Sequence, residues 1–285
     1  MSNLKEIRGR ISSVKGTLKI TSAMRMVSSA KLIPAMKAVG GLLPYEKALD
    51  GILDTLLSCS RVQQILDSYD DSDLERRDMT AVVLVTSNQN LCGSFNANLV
   101  KAFEAQDFDR GKTIVYAVGR YGVKAARRLG YDMVDCSYIS DKPDYDKSSS
   151  FAERLATDYM EGKISGVKII YSHFVSRAVQ RTVVETFLPL DLTAKNKKIP
   201  EDLIIEPEPE VMLETLLPMV LRLRVHSSVL DAAAAEHAAR TLAMQTATEN
   251  GEELLGELSL LYNKLRQQEI TSQILDLVGG QSNNQ

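Results

Sequence analysis

Three histidines and three cysteines are the first places where this chain could do chemistry. His173, His226 and His237 share no helical metal-ligand spacing and no H-E-x-x-H pattern, so ordinary polar or partly buried histidines are expected. Cys59, Cys92 and Cys136 are odd in number and far apart. They give neither a disulfide framework nor a zinc knuckle and point to a reducing cytosol. Cys92 beside Gly93 has the type of a nucleophile, but spacing assigns it no His or Asp, and a core or turn cysteine is expected. Two glycine-bearing turns could hold an anion. Ser87-Asn-Gln-Asn-Leu-Cys-Gly-Ser94 leads from an apolar run into a helix-like one, the setting in which backbone N–H groups meet a phosphate. It lacks the Gly-Lys-Ser/Thr ending of a P-loop and the spacing of a dinucleotide loop, and Gly119-Arg-Tyr-Gly122 is a bare G-x-x-G. Structural turns are expected at both, with no catalytic constellation, no metal and no cofactor.

The elements that would carry such residues are set by composition and pattern. The chain has 285 residues, 44% hydrophobic and 25% charged, enough for a sizeable core and about two domains. No apolar run approaches the roughly 20 residues of a membrane helix, and the charged start has no apolar signal core, so neither a span nor a secretory peptide is expected. Zero Trp and 6% aromatic content argue against a stacking platform for sugars or single-stranded nucleic acid. The net charge of −3 hides an asymmetry. Residues 1–37 carry eight basic groups and one acid, whereas Asp67 to Asp78 holds six acids against Arg76 and Arg77. A basic arm on an acidic chain implies an anionic partner: nucleic acid, lipid or an acidic protein loop.

Leu4, Ile7, Ile11, Val14 and Leu18 recur at spacings of 3 and 4, a heptad seam for a partner helix. Beyond Leu18 the apolar residues Ile20, Ala23, Met24, Val27 and Ala30 fall on the opposite side, which predicts burial by a second neighbour. Pro34 is expected to kink the helix. From Met219 to Val278 there are sixty residues without Pro and with only Gly251 and Gly256. As one helix this span would be roughly 90 Å long. Leu254, Leu258, Leu261 and Leu265 form its seam, the Ala232–Ala235 run admits a close backbone, and Gly279-Gly280 end it. Two such helices at opposite ends of one chain predict an antiparallel coiled coil with the middle inserted.

The middle alternates. Ala81–Val85, Thr113–Val118, Met133–Val134 with Cys136–Ile139, Val167–Tyr171 and Thr182–Phe187 read as strands. Asn98–Phe103, Tyr121–Leu129 and Phe151–Met160 read as helices between them, and Asp144–Ser150 and Ala194–Pro200 as loops. The expected fold is therefore α/β plus a long antiparallel coiled coil, with a mainly parallel, Rossmann-like sheet covered on both faces and an antiparallel pair at its end. Boundaries are placed at 1–60 for the first coiled-coil helix, 76–206 for the α/β domain and 208–285 for the second helix.

Two segments then carry a family resemblance. Lys19-Ile-Thr-Ser-Ala-Met-Arg-Met-Val-Ser-Ser-Ala-Lys-Leu32 resembles the N-terminal signature of the gamma subunit of F-type ATP synthases. Ala239-Arg-Thr-Leu-Ala-Met-Gln-Thr-Ala-Thr-Glu-Asn250, with Leu261-Tyr-Asn-Lys-Leu-Arg-Gln267 and Ile270-Thr271, resembles its C-terminal signature, and Leu91-Cys-Gly93 its loop after the first strand. The resemblance runs from residue 4 to about 280. It implies a non-catalytic central rotor stalk. Its coiled coil would stand inside a hexamer of α and β subunits, and its α/β domain would lie below, against the epsilon subunit and the membrane c-ring. Proton-driven rotation would then drive ATP synthesis, and the chain would be a peripheral protein on the cytoplasmic face of a bacterial cell membrane. By the same resemblance Met24, Arg25 and Lys31 match the segment facing an acidic loop of β. Arg240 matches the A-A-R motif and is expected with them among the rotor–stator contacts, and Arg266, Gln267 and Thr271 match the segment at the upper β collar. Glu206 and Pro207, in Glu206-Pro-Glu-Pro209, match the return near the c-ring. Ile33-Pro34, Ser87-Asn-Gln-Asn90 and Gln273 depart from the family pattern. The alternative is a basic coiled-coil nucleic-acid binder using residues 4–37, whose affinity would fall steeply with salt. A third reading, an α/β enzyme with helical dimerisation arms, lacks a nucleophile or base.

Overall fold

The structure, a computed structural model, describes residues 2–59, 62, 78–140, 143–192 and 205–282. The acidic run before Asp78 and the expected loop Ala194–Pro200 lie outside them. The elements in chain order are α1 (Ser2–Leu57), β1 (Thr80–Val85), α2 (Phe95–Glu104), β2 (Thr113–Val118), α3 (Arg120–Leu129), β3 (Asp132–Asp135), α4 (Tyr145–Met160), β4 (Gly166–Phe174), β5 (Gln180–Leu188) and α5 (Pro209–Ser282). They divide into two compact units, residues 1–29 with 240–285, and residues 30–239.

The larger unit holds a five-stranded sheet in the order β3-β2-β1-β4-β5. β1 pairs in parallel with β2 and β4, β2 in parallel with β3, and β4 antiparallel with β5, as the missing helix between the last two strands predicted. β-branched runs make these strands because their stiff side chains fit a pleated, covered surface. Alternation then sorts each strand to two faces. Ala81, Val83 and Val85 join Tyr116, Ile169, Phe151 and Leu155 on one side, whereas Val82 and Leu84 join Val115, Ile170, Leu99 and Phe103 on the other. Each large side chain buried this way stabilises by about 1.5–3 kcal/mol, so both faces need a helical cover.

Two local expectations change. Cys136–Ile139 is not strand: β3 stops at Asp135, whose carboxylate accepts a 2.9 Å bond from the Ser137 N–H, and a short 3₁₀ turn follows over Ser137–Ile139. That bond also holds the Asp135 carboxyl below its usual range. Asp144–Ser150 is not loop: the Asp144 side chain accepts from the N–H groups of Asp146 and Lys147 and caps α4, which starts at Tyr145. A cap is worth about 1 kcal/mol and offsets much of the weak helix propensity of three serines.

In the same unit α1 and α5 run antiparallel: Glu46 meets Ser227 and Asp50 meets Arg224, so one number rises as the other falls. Leu49, Leu53, Leu56 and Leu57 pack with Leu213, Leu216, Val220 and Leu223. The half-exposed Asp50–Arg224 pair contributes about 0–1 kcal/mol, so the leucines dominate. α1 continues through Pro34 and Pro44, and α5 through Pro218 and Gly279-Gly280 to Ser282. The expectation that no segment could suit a membrane also changes, because α1 contains an 18-residue window of mean hydropathy 1.2, apolar enough by length and composition to cross one. Lys19, Arg25, Lys31 and Lys37 recur every six residues along α1, and no more than two charges fall within the window itself. Each would cost about 2.5–3.5 kcal/mol at a bilayer centre, which weighs against insertion.

Candidate functional site

The residues singled out by sequence lie mostly on the two long helices. In the smaller unit, Thr248 Oγ1 donates to Thr21 Oγ1 at 3.0 Å, and Leu18 lies against Gly251, where a Cβ would come within 2.7 Å of Leu18 Cδ2. The helices are again antiparallel. Carrying that pairing outward sets Val14 opposite Leu255, Ile11 opposite Leu258, Ile7 opposite Tyr262 and Leu4 opposite Leu265, and all of these are buried or half-buried.

This seam corrects one expectation, the stripe of α5 that faces α1. On α1 it continues beyond Leu18 through Thr21 and Ser28, at 9% and 4% exposure. The apolar residues Ile20 and Val27, expected to meet a second neighbour, do not face α5 and are 62% and 57% exposed in the chain alone. On α5 the inward positions include Leu255 and Tyr262 rather than Leu254 and Leu261, which are each 44% exposed. In a leucine-rich helix two adjacent stripes satisfy the 3–4 spacing equally, and the buried Met244 and Thr248 with the notch at Gly251 mark the true one. Gly251→Ala is expected to be nearly neutral, since Leu18 can rotate and helix propensity improves by about 1 kcal/mol. Gly251→Ile is expected to cost about 1–3 kcal/mol by overpacking the seam. Denaturant unfolding of the two variants measures the difference.

Among the resemblance residues of this unit, Met24 and Arg25 are half-buried, Arg266, Gln267 and Thr271 are exposed, and Arg240 is 4% exposed. Thr271 Oγ1 donates to the Gln267 carbonyl oxygen at 2.9 Å, one helical turn back. In the larger unit Lys31, Glu206 and Pro207 are exposed.

The turn after β1 is where an open α/β sheet would hold a ligand, beside the point at which strand order reverses. Here its polar groups serve one another. Asn96 accepts from Ser87 N at 3.1 Å and donates to Ser87 Oγ at 2.7 Å; Asn88 Oδ1 takes the N–H of Arg120, and Thr86 Oγ1 takes that of Gly122. Three backbone N–H groups at these turns, those of Ser87, Arg120 and Gly122, are thus engaged by side chains. Cys92 sits in this network, 2% exposed, and Cys136 is buried with its thiol pushed up to about 11 by desolvation. Cys136, held protonated by its burial, is not an activated nucleophile. His173 Nδ1 lies 2.5 Å from Asp231, and His226, lowered by burial, meets Ser148 at 3.2 Å. Among the described residues no group of three or more His, Cys, Asp or Glu side chains is placed to hold a metal ion.

Long helices from the two ends of a chain, paired antiparallel and bracketing a five-stranded α/β domain, define the class of helical stalk proteins with an inserted α/β module. The ATP synthase family model matches residues 3–283. The ATP synthase gamma chain of Phocaeicola vulgatus is 42% identical over 298 residues, covering 98% of this chain and 99% of that one. The gamma chain of Flavobacterium johnsoniae is 37% identical, with 98% of each covered. Among solved structures, a chain of the Euglena gracilis mitochondrial ATP synthase (OSCP/F1/c-ring) matches with a TM-score of 0.71 at 19% identity, over 99% of this chain and 94% of that chain. A chain of the Tetrahymena thermophila central stalk/c-ring matches with a TM-score of 0.55 at 21% identity, over 80% and 99%. The chain belongs to the ATP synthase gamma-chain family. The nucleic-acid-binding alternative is set aside by a match that spans both long helices and the domain between them.

Proposed function

We propose that the chain is the central rotor stalk of an F-type ATP synthase, a non-catalytic subunit that transmits torque between a membrane c-ring and a catalytic hexamer of α and β subunits. The observation that carries this reading is identity to gamma chains over nearly the whole length of both partners. The division into 1–60, 76–206 and 208–285 assigns the terminal helices to the shaft and the α/β domain to the foot. The foot meets the epsilon subunit and the c-ring, with Glu206 and Pro207 on that side, and the complex lies at the cytoplasmic face of a bacterial cell membrane. On the shaft, Met24, Arg25 and Lys31 face acidic groups of β, and Arg266, Gln267 and Thr271 face the upper collar. Arg240, buried in the chain, acts by holding the shaft's shape.

The test is charge reversal. Partly exposed ion pairs are worth about 0–1 kcal/mol each, so single changes at Arg25 or Lys31 are expected to be silent. Arg25→Glu with Lys31→Glu is expected to lower ATP-driven proton pumping more than it lowers co-purification of α and β. Wild-type pumping in the double variant removes these two residues from the coupling surface.

A further inference from the structure

β4 has nine residues and β1 six, and the two pair only from Thr80 with Gly166 to Leu84 with Ile170. Residues 171–174 therefore run past β1, while β5 still pairs with them on the other side. The Val175 N–H points to that other side, where it meets the Val179 carbonyl oxygen. Successive N–H groups of an antiparallel strand alternate in direction, so that of Phe174 points to the side β1 has left. Asp231 of α5 fills it. Its Oδ1 accepts the Phe174 N–H at 2.9 Å, and its Oδ2 lies 2.5 Å from His173 Nδ1. The residue is 7% exposed.

Asp231 also stands where α5 changes sides of the sheet. Before it, Leu221, Val225 and Val229 join the core on one face; beyond it, Ala235 and Ala239 join the core on the other, together with Phe174. The surface of α5 at this crossing is alanine, with Ala232, Ala234, Ala235 and Ala238 all buried. Short side chains admit a close neighbour but raise no ridges to stop the helix from turning about its own axis. Apolar burial is non-directional as well. A carboxylate bond to a main-chain N–H is directional and charge-assisted, about twice as strong as a neutral one. Elsewhere on α5, Arg222 meets Glu153 at 3.5 Å and His226 meets Ser148 at 3.2 Å, both side chains of α4. Asp231 holds the backbone of a strand.

We propose that Asp231 is a positioning residue that fixes the angle of α5 against the sheet, in the place of the strand that β1 does not continue, so that a twist applied to α5 reaches the α/β domain at Phe174. The proposal deepens the rotor reading and rests on it for the load the joint carries. Two substitutions separate the bond from the helix. Asparagine keeps the joint: its amide oxygen accepts the Phe174 N–H, and its NH₂ donates to a neutral His173 ring. Alanine keeps the helix, for which it has the best propensity, and removes the joint.

The test uses the assembled complex. ATP-driven proton pumping against a preformed gradient loads the joint, whereas ATP hydrolysis with the gradient collapsed loads it far less. Asp231→Ala is expected to lower loaded pumping several-fold while collapsed-gradient hydrolysis stays near the native rate, and Asp231→Asn is expected to restore the pumping. A role in folding alone lowers both activities together. Native pumping in Asp231→Ala, or parallel loss of pumping and hydrolysis, overturns the proposal. Hydrogen exchange resolved to single residues in the native complex needs no variant. Exchange of the Phe174 amide as slow as that of Ile170, beside β1, supports the joint, and exchange as fast as that of exposed Arg177 overturns it. Failure of the rotor reading is distinct: pumping then survives a closed covalent tether between α5 and β, whereas failure of this proposal leaves the tether effective and only the Asp231→Ala effect missing.

Discussion

A disulfide closed between Gln267→Cys and a cysteine on the facing loop of a β subunit is expected to stop ATP-driven proton pumping, and a thiol reductant is expected to restore it. Gln267 is exposed near the end of α5, and the proposed shaft must turn past its collar at that point. A covalent bond holds against any torque the motor can generate, whereas a side-chain contact worth about 1 kcal/mol does not. Cys59, Cys92 and Cys136 are replaced first, because all three are free thiols. A helix end can unwind under load and let the rest turn, so a second tether is set at Leu260→Cys, two turns lower and about 10 Å along the axis. Leu260 is 74% exposed and carries no packing duty in the chain. Full pumping with both tethers closed to completion would sink the rotor reading.

The largest loss of stability is expected at Gly119. Its φ of +110° belongs to a region that side chains with a Cβ rarely enter, and a Cβ there would stand 2.2 Å from the Thr86 carbonyl oxygen. Relief cannot come from a rotamer change, because the obstacle is backbone. Nor can Thr86 retreat, since its N–H bonds to Val118 and its hydroxyl accepts from Gly122 N at 2.8 Å. Gly119→Ala is expected to cost about 3–5 kcal/mol, from backbone strain and loss of this junction together. Gly130→Ala separates the two causes. Gly130 also has positive φ, +77°, but open space around it, so only about 1–2 kcal/mol is expected there. Denaturant midpoints of the two variants, compared at equal m-values, decide the point.

The α/β domain was legible because its signals are local. Runs such as Thr113–Val118 and Ala81–Val85 announce themselves by β-branching, and the missing helix between β4 and β5 announced their antiparallel pairing. What escaped needed a longer view. Asp144 as a cap was readable only by asking which N–H groups it could reach, and its serine-rich successor segment reads as loop by composition. The seam was hidden because Thr21, Ser28, Thr248 and Gly251 are not the residues one expects between helices, although the spacing continues through them.

The Thr21–Thr248 pair has a consequence for how the two helices keep their place along each other. A leucine-only seam looks the same to its partner every seven residues, so axial slippage by one repeat would meet little resistance. Here a slip of seven residues would bring Thr21 opposite Leu255 and Leu18 opposite Leu258. The hydroxyl pair would be parted and the notch at Gly251 emptied. The two helices are therefore keyed at one level, like a shaft with a pin through it, and load applied along either strand is carried by both.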